Sequence, residues 1–238
     1  MMVPVATILT IHDDAPVRWR GAAVENEPLR AVLPAAAGNA QLRPAPPAAD
    51  GDAPLRAAPP AADATLPALV EAQHFANFTI WGLEDEARRR DVGDARIAAV
   101  KRAIDPWNQR RNDLMEAIDA AILAHLANVD VQSAQLHSET AGMIIDRLSI
   151  LALKIHSMER IAGDAAAQSE VALAAECATR TQVLRAQRED LAGCLARLLE
   201  DFAAGRRYFK TYRQLKAYND ERLNPALRAA ARGGAGQQ

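Results

Sequence analysis

Two cysteines in 238 residues leave no basis for a disulfide framework. Cys177 and Cys194 are seventeen positions apart in a strongly helical stretch. Along one helix that is roughly 25 Å, too far to pair. Neither has a CxxC or CxxH neighbour, so no zinc site is expected and both read as free thiols of a reducing cytoplasm. Aromatic residues are also scarce, at 4% of a chain that is 50% hydrophobic, because alanine supplies much of the apolar content. A core of that kind comes from close helix packing more than from large side chains. No apolar run approaches eighteen residues, which excludes a helical membrane span from the reading. The opening MMVPVATILTIHDD lacks a basic leader and a small-residue cleavage site, so cytoplasmic residence is the expectation. A net charge of −2 favours no class of partner, and a nucleic-acid partner is not expected.

What the chain does have is helical periodicity. The expected fold is all-α, a bundle of about five helices including one of about 40 residues. Residues 1–28 read as an arm packing on the bundle. There, alternation over Val3–Ile11 suits a strand, while Ile8–Arg20 suits a helix interrupted at Pro16. Residues 29–64 form a Pro/Ala-rich insertion in which LRPAPPAAD at 42–50 recurs as LRAAPPAAD at 55–63. Its proline density and lack of core residues predict disorder. The bundle covers 65–225, and the Ala/Arg/Gly tail 226–238 is expected to be disordered.

Within the bundle, Thr65 and Pro67 predict a helix start, with the helix running to about Arg90 and stopping near Gly93. Asp94 caps the next stretch, and Asp105-Pro106 predicts a kink or a new helix that continues to about Ala127. After a loop over 128–135, Thr140 caps a helix broken at Ala162-Gly163-Asp164. The long helix follows over Ala165–Ala204, with Cys177, Leu184, Leu191 and Leu198 at heptad spacing and Gly205 just past its end.

Three of these helices carry polar residues in register. His74, Asn77, Trp81, Glu84, Asp85 and Arg88 fall in one stripe, and a solvated face would rarely spend a Trp and a His amid its charges. Asp105, Asn108, Asn112, Glu116 and Asp119 form a second, which is either an ordinary exposed face or a ligand surface. On the central helix, Ile144, Ile145, Leu148, Leu151, Ala152, Ile155 and Met158 make an apolar side. Opposite them lie Glu139, Asp146, Arg147, Ser149, Lys154, His156 and Ser157, interleaved with Met143, Ile150 and Leu153, which suggests burial on both sides. The first-turn amides near Gly142 could receive an anion. The segment 206–220 holds all three tyrosines and five basic residues, Lys210, Arg213 and Lys216 among them, and suits phosphate contacts or an amphipathic docking helix.

These stripes come in a recognisable order: Gln73-His74, Asn77-Phe78, Trp81, Glu84-Asp85 and Arg88, then Asp105, Asn108-Gln109, Arg111-Asn112-Asp113, Glu116 and Asp119. Glu139-Thr140, Gly142 and Ile144 through Leu151 follow, then Phe209-Lys210, Tyr212-Arg213-Gln214, Lys216 and Tyr218-Asn219-Asp220. Together they resemble a bacterial helical family, domain of unknown function 4254, over 65–225 and also at the arm residues His12, Asp13 and Trp19. The chain departs from the family's pattern at Arg20 and Gly82, where relatives tend to carry histidine. The resemblance implies an association with glycosyltransferases and surface-polysaccharide synthesis but no defined activity.

Three functions are weighed. The first is an inter-helix site for a phosphorylated ligand or a glycosyltransferase-pathway protein, with Arg88, Arg147, Lys154 and the basic 206–216 segment meeting its charge. The second is an Mg²⁺-dependent phosphohydrolase related to nucleotide pyrophosphatases, its metal held by Glu116 and Asp119 with Glu84 and Asp85. Arg88 interrupts the acidic pattern such enzymes use, three residues after Asp85. The third is a scaffold without a small ligand or cofactor, whose polar stripes satisfy one another. No catalytic residue is assigned.

Overall fold

The computed structural model describes residues 3–21, 64–212, 223–225 and 228. The insertion call over 29–64, apart from its last residue, lies outside the described residues, as do Arg213, Lys216 and nearly all of the tail. Among the described residues five helices carry the architecture: α1 Val5–Gly21, α2 Leu66–Glu86, α3 Asp94–His125, α4 Ala141–Ala167 and α5 Val171–Ala203. They pack as two hairpins, α2 with α3 and α4 with α5, and α1 lies across α2 and α4. The arm is therefore a helix, and it passes through Pro16 without a break.

Ile8 of α1, Leu69 and Val70 of α2, Leu114, Ile118 and Ile122 of α3, Ile144, Ile145 and Leu148 of α4, and Leu195, Leu198 and Phe202 of α5 form one core. Leu83, Val100, Ala103 and Ile104 form a second cluster near the α2–α3 turn. Burying a Leu- or Ile-sized side chain is worth about 1.5–3 kcal/mol. The apolar side of α4 anticipated from periodicity supplies the centre of this core.

Helix ends show where local signals gave way to packing. Thr65 stands at the N-cap of α2 in extended backbone but makes no side-chain cap bond. That helix stops at Glu86, short of Arg90, where Glu86 holds both Arg89 and Arg96 across the turn. Gly93, not Asp94, is the N-cap of α3, and Asp94 occupies its first turn, where a negative charge suits the helix dipole. No new helix begins at Asp105-Pro106, because α3 runs straight through. The carbonyl that Pro106 deprives of a partner is that of Arg102, an exposed residue. Likewise α4 does not break at Gly163. It ends after Ala167, and the turn is made by Ser169 in the left-handed region, with φ of 63°. The long helix is accordingly 33 residues, starting at Val171.

Two features position the segment after α5. Gly205 takes φ of +68°, and a Cβ there would sit 2.6 Å from the Asp130 carbonyl, so the chain reverses tightly against the α3–α4 loop. It then forms a two-residue parallel ladder, with β1 Gln135–Leu136 beside β2 Arg207–Tyr208. The bonds Gln135 N–H to Arg206 O (2.9 Å) and His137 N–H to Tyr208 O (2.7 Å) tie the C-terminal segment to the start of α4.

That start is itself held from α3. Thr140 caps it by accepting from the Met143 amide at 3.2 Å. Asp119 accepts from the Gly142 amide at 2.6 Å, so the anion expected near Gly142 is supplied by the protein. Gly142 permits this approach, since a Cβ would lie 2.6 Å from the Met115 carbonyl and 3.0 Å from the Asp119 carboxylate. Gly142→Ala is expected to lose about 1–3 kcal/mol of stability through this overlap. A denaturant midpoint unchanged from the parent protein would refute the tight contact.

Candidate functional site

The polar stripes converge where α2 crosses α4. Gln73 and Asn77 sit one turn apart on α2 and both aim at Asp146 on α4. The Asn77 amide donates to Asp146 Oδ1 at 2.9 Å and to Ser149 Oγ at 2.9 Å, and the Gln73 amide donates to the same Asp146 oxygen. From α3, Arg111 brings its Nε to 3.8 Å of Asp146. This is an ion pair without a hydrogen bond, and the buried Nε has no hydrogen-bond partner. Burial pushes the Asp146 carboxyl upward, while Arg111 and the two amides pull it back.

Beside this hub lies an imidazole pair. His74 Nδ1 is 2.7 Å from Ser149 Oγ. Asn77 donates to that same oxygen, and His74 Nε2 is buried without a hydrogen-bond partner. The His12 ring centroid is 4.7 Å from that of His74, and Trp19 lies 5.3 Å away. Both nitrogens of His12 are buried without partners. Burial holds His74 down to about 3, with Arg188 and His156 adding to the effect. Burial, His74 and Arg188 hold His12 well below the usual value. Both rings are neutral at physiological pH.

Among the described residues, clefts open along these helices. The first, about 460 Å³, lies between α3, the start of α4 and the segment after β2. Asn112, Glu116, Asp119, Glu139, Asp146, Arg147 and Lys210 of the anticipated residues line it, together with Arg111, Thr140 and Tyr212. Asp119 is pushed up to about 6 by burial and by the charge of Glu116, against the hydrogen bonds from Thr140 and Gly142. Arg147 is engaged by Glu139 at 2.8 and 3.0 Å. Lys210 stands 5.8 Å over the Tyr208 ring. The second cleft, about 310 Å³, is lined by Asn77, Trp81, Glu84, Asp85, Arg88 and again Arg111, with Ile80, Ile150 and Leu153. Glu84 pairs there with Arg88 at 3.0 Å and with Lys101 at 3.1 Å. The third, about 570 Å³, separates α4 from α5 and takes in Lys154, Arg147, Asp190 and Cys194.

The stripes are thus not buried from end to end. On α2, His74 and Asn77 are buried, Trp81 and Glu84 half-buried, and Asp85 and Arg88 exposed. On α3, Asn112 and Asp119 are buried while Asp105 is exposed, and Asn108 lines none of the three clefts. On α4, Asp146, Ser149 and Ser157 are buried, but Arg147 and Lys154 face outward because they fall between the two contact lines of the helix. Glu84 and Asp85 line a different cleft from Glu116 and Asp119. Among the described residues no three His, Cys, Asp or Glu side chains come together to hold a metal ion.

Gln73, Ser149, Arg111 and His12 were not among the anticipated site residues. Gln73 could have been found from its i,i+4 relation to Asn77, which places both amides on one face. Arg111 stands in the family's motif order but lies off the Asn108–Asn112–Glu116 line, and only the fold brings it to Asp146.

A family model described as a protein of unknown function, DUF4254, matches residues 67–211. The match begins in α2, so the arm stands outside it. No curated protein and no solved structure matches the chain.

Two predictions test the geometry. Asp146→Ala leaves two amide donors and a guanidinium without their acceptor and is expected to cost about 3–5 kcal/mol in denaturant unfolding. A loss below about 1 kcal/mol would mean the hub is solvated. The second concerns acid. A histidine buried neutral has its folded value below its unfolded value, so its stabilising contribution is complete above about 6.5 and is lost as pH falls below that. Asp119, raised when folded, acts in the opposite sense between about 6 and 3.8. His12→Phe removes one titrating ring, so from pH 6.5 to 5 the variant should lose about 2 kcal/mol less stability than the parent. Parallel stability–pH curves would show that His12 is not held neutral.

Proposed function

Since the chain belongs to the DUF4254 family, whose description assigns no activity, we propose from its geometry that it binds a phosphorylated small molecule in the cleft between α3, α4 and the segment after β2. The observation that carries this reading is Arg111. Its guanidinium lines the cleft, its nearest carboxylate is 3.8 Å away, and its Nε is buried without a hydrogen-bond partner. A planar guanidinium so placed is suited to grip a phosphate. Lys210 adds a second cation at the cleft's edge, positioned there by the β1–β2 ladder. Glu116 has no hydrogen bond or ion pair among the described residues and can accept from ligand hydroxyls. A sugar phosphate or sugar nucleotide meets these demands, and a place in glycosyl transfer or surface-polysaccharide synthesis accords with the family resemblance.

A second reading has one observation in its favour. Asp119, with its value raised to about 6 and Glu116 one turn away, could exchange a proton near neutrality, as a phosphohydrolase requires. The separation of its acids from Glu84 and Asp85 weighs against the four-carboxylate magnesium site that such an enzyme was expected to use. A scaffold without a ligand is the third.

Thermal shifts measured with inorganic phosphate, glucose 1-phosphate, UMP and UDP-glucose, each with and without Mg²⁺, separate the three. A ligand at 100 times its Kd should add about 2.7 kcal/mol of stability. We expect a shift that is independent of Mg²⁺ and absent in Arg111→Gln. A shift requiring Mg²⁺ and lost in Asp119→Asn would support the hydrolase, and no shift with any compound would support the scaffold.

A further inference from the structure

Arg111 lines two clefts, not one. On its α2 side the neighbouring lining residue is Asn77, and on its other side it is Asp146. These two are hydrogen-bonded to each other at 2.9 Å, so a single side-chain pair and the guanidinium separate the two spaces. We infer that the clefts are two halves of one site, in which a phosphate ester places its phosphate at Arg111 and extends a hydroxyl-bearing ring over Trp81.

The second cleft has the chemistry for a ring. Trp19 packs on His74, Phe75 and Phe78, and Trp107 packs on Phe75. Trp81 is half-buried in the cleft wall and has no ring contact among the described residues. Its indole, with Ile80 and Leu153, offers an apolar floor to a flat or puckered ring. The rim fixes the polarity of the ligand. Asp85 is an exposed acceptor with no ion pair among the described residues, and Glu84 lies beside it. Asp85 accepts from hydroxyls, while Glu84 is taken up by Arg88 and Lys101 and leaves no unpaired cation among the described residues of this rim, so the anionic end belongs at Arg111 and the neutral ring at Trp81. A space of about 310 Å³ suits one ring. The buried amide of Asn77 keeps the partition rigid, since its donors are committed to Asp146 and Ser149.

This rests on Arg111 as the phosphate anchor, and the test separates the two claims. Isothermal titration of the full chain compares inorganic phosphate, glucose 1-phosphate and UMP, with tryptophan fluorescence read in parallel. Either ester should bind at least tenfold tighter than inorganic phosphate and change the fluorescence, and the tighter of the two identifies the ring as hexose or nucleoside. In Trp81→Ala the esters should fall to the affinity of inorganic phosphate while inorganic phosphate itself is unchanged, and Trp81→Phe should restore most of the difference. Arg111→Gln should lose all three. Esters binding no tighter than inorganic phosphate, or a Trp81→Ala change that weakens all three equally, would overturn the joined site and leave the phosphate anchor standing. No binding of any of the three to the parent protein would overturn both.

Discussion

The organisation of this bundle depends on one buried carboxylate. Asp146 receives amide donors from α2 and faces a guanidinium from α3, so three helices are tied at a single carboxylate oxygen, Oδ1. Apolar contacts between helices have no fixed register, and a helix that slides a turn still buries leucines. A carboxylate with specified donors does not permit that slide, because each displaced donor would be buried unpaired at a cost of about 1–3 kcal/mol. The relation of α2 to α4 is therefore set by polar contacts, although the core around them is made of Leu, Ile and Val.

A second carboxylate holds α4 one turn before Asp146, at the helix start. Asp119 reaches from α3 to the Gly142 amide, and the absence of a side chain at Gly142 lets the helices come close enough for it. Together with the ladder that holds the segment after α5, this contact builds the cleft containing Glu116, Arg111 and Lys210. The cleft is a consequence of how the bundle is fastened, and its walls are the same residues that fasten it.

Burial of these groups sets two opposing tendencies. The carboxyls of Asp119 and Asp146 are pushed toward their neutral forms, and so are the rings of His12 and His74. For acids that means holding protons more tightly, and for imidazoles releasing them. The cost of desolvation is shared between groups whose responses to pH run in opposite directions. At this junction the Arg111 guanidinium stands 3.8 Å from the Asp146 carboxylate, and its buried Nε has no hydrogen-bond partner.

The sequence alone determined the helices and their faces. A 3.6-residue period, Pro67 and Thr65 at one start, Thr140 at another and Gly205 at one end are local properties, and the all-α class follows from them. The family's order of polar residues was also readable, and it placed His74, Asn77, Asp119 and Asp146 among the residues that matter. Where elements ended was less legible. Pro106 and Gly163 are local breakers, costing about 3 and about 1 kcal/mol in a helix interior, and packing along α3 and α4 overrode them. Which polar residues would meet was decided only by the tertiary structure, because a stripe specifies an azimuth on one helix and says nothing of the angle at which a neighbour crosses. The packing of the helices brought Arg111 to Asp146, left Asn108 outside the clefts, and placed Glu84 and Asp85 in a different cleft from Glu116 and Asp119. The ladder between β1 and β2, two residues on each side, has no periodic signature at all, yet it delivers Lys210 to the cleft, since its strands are brought side by side by the packing of α4 on α5.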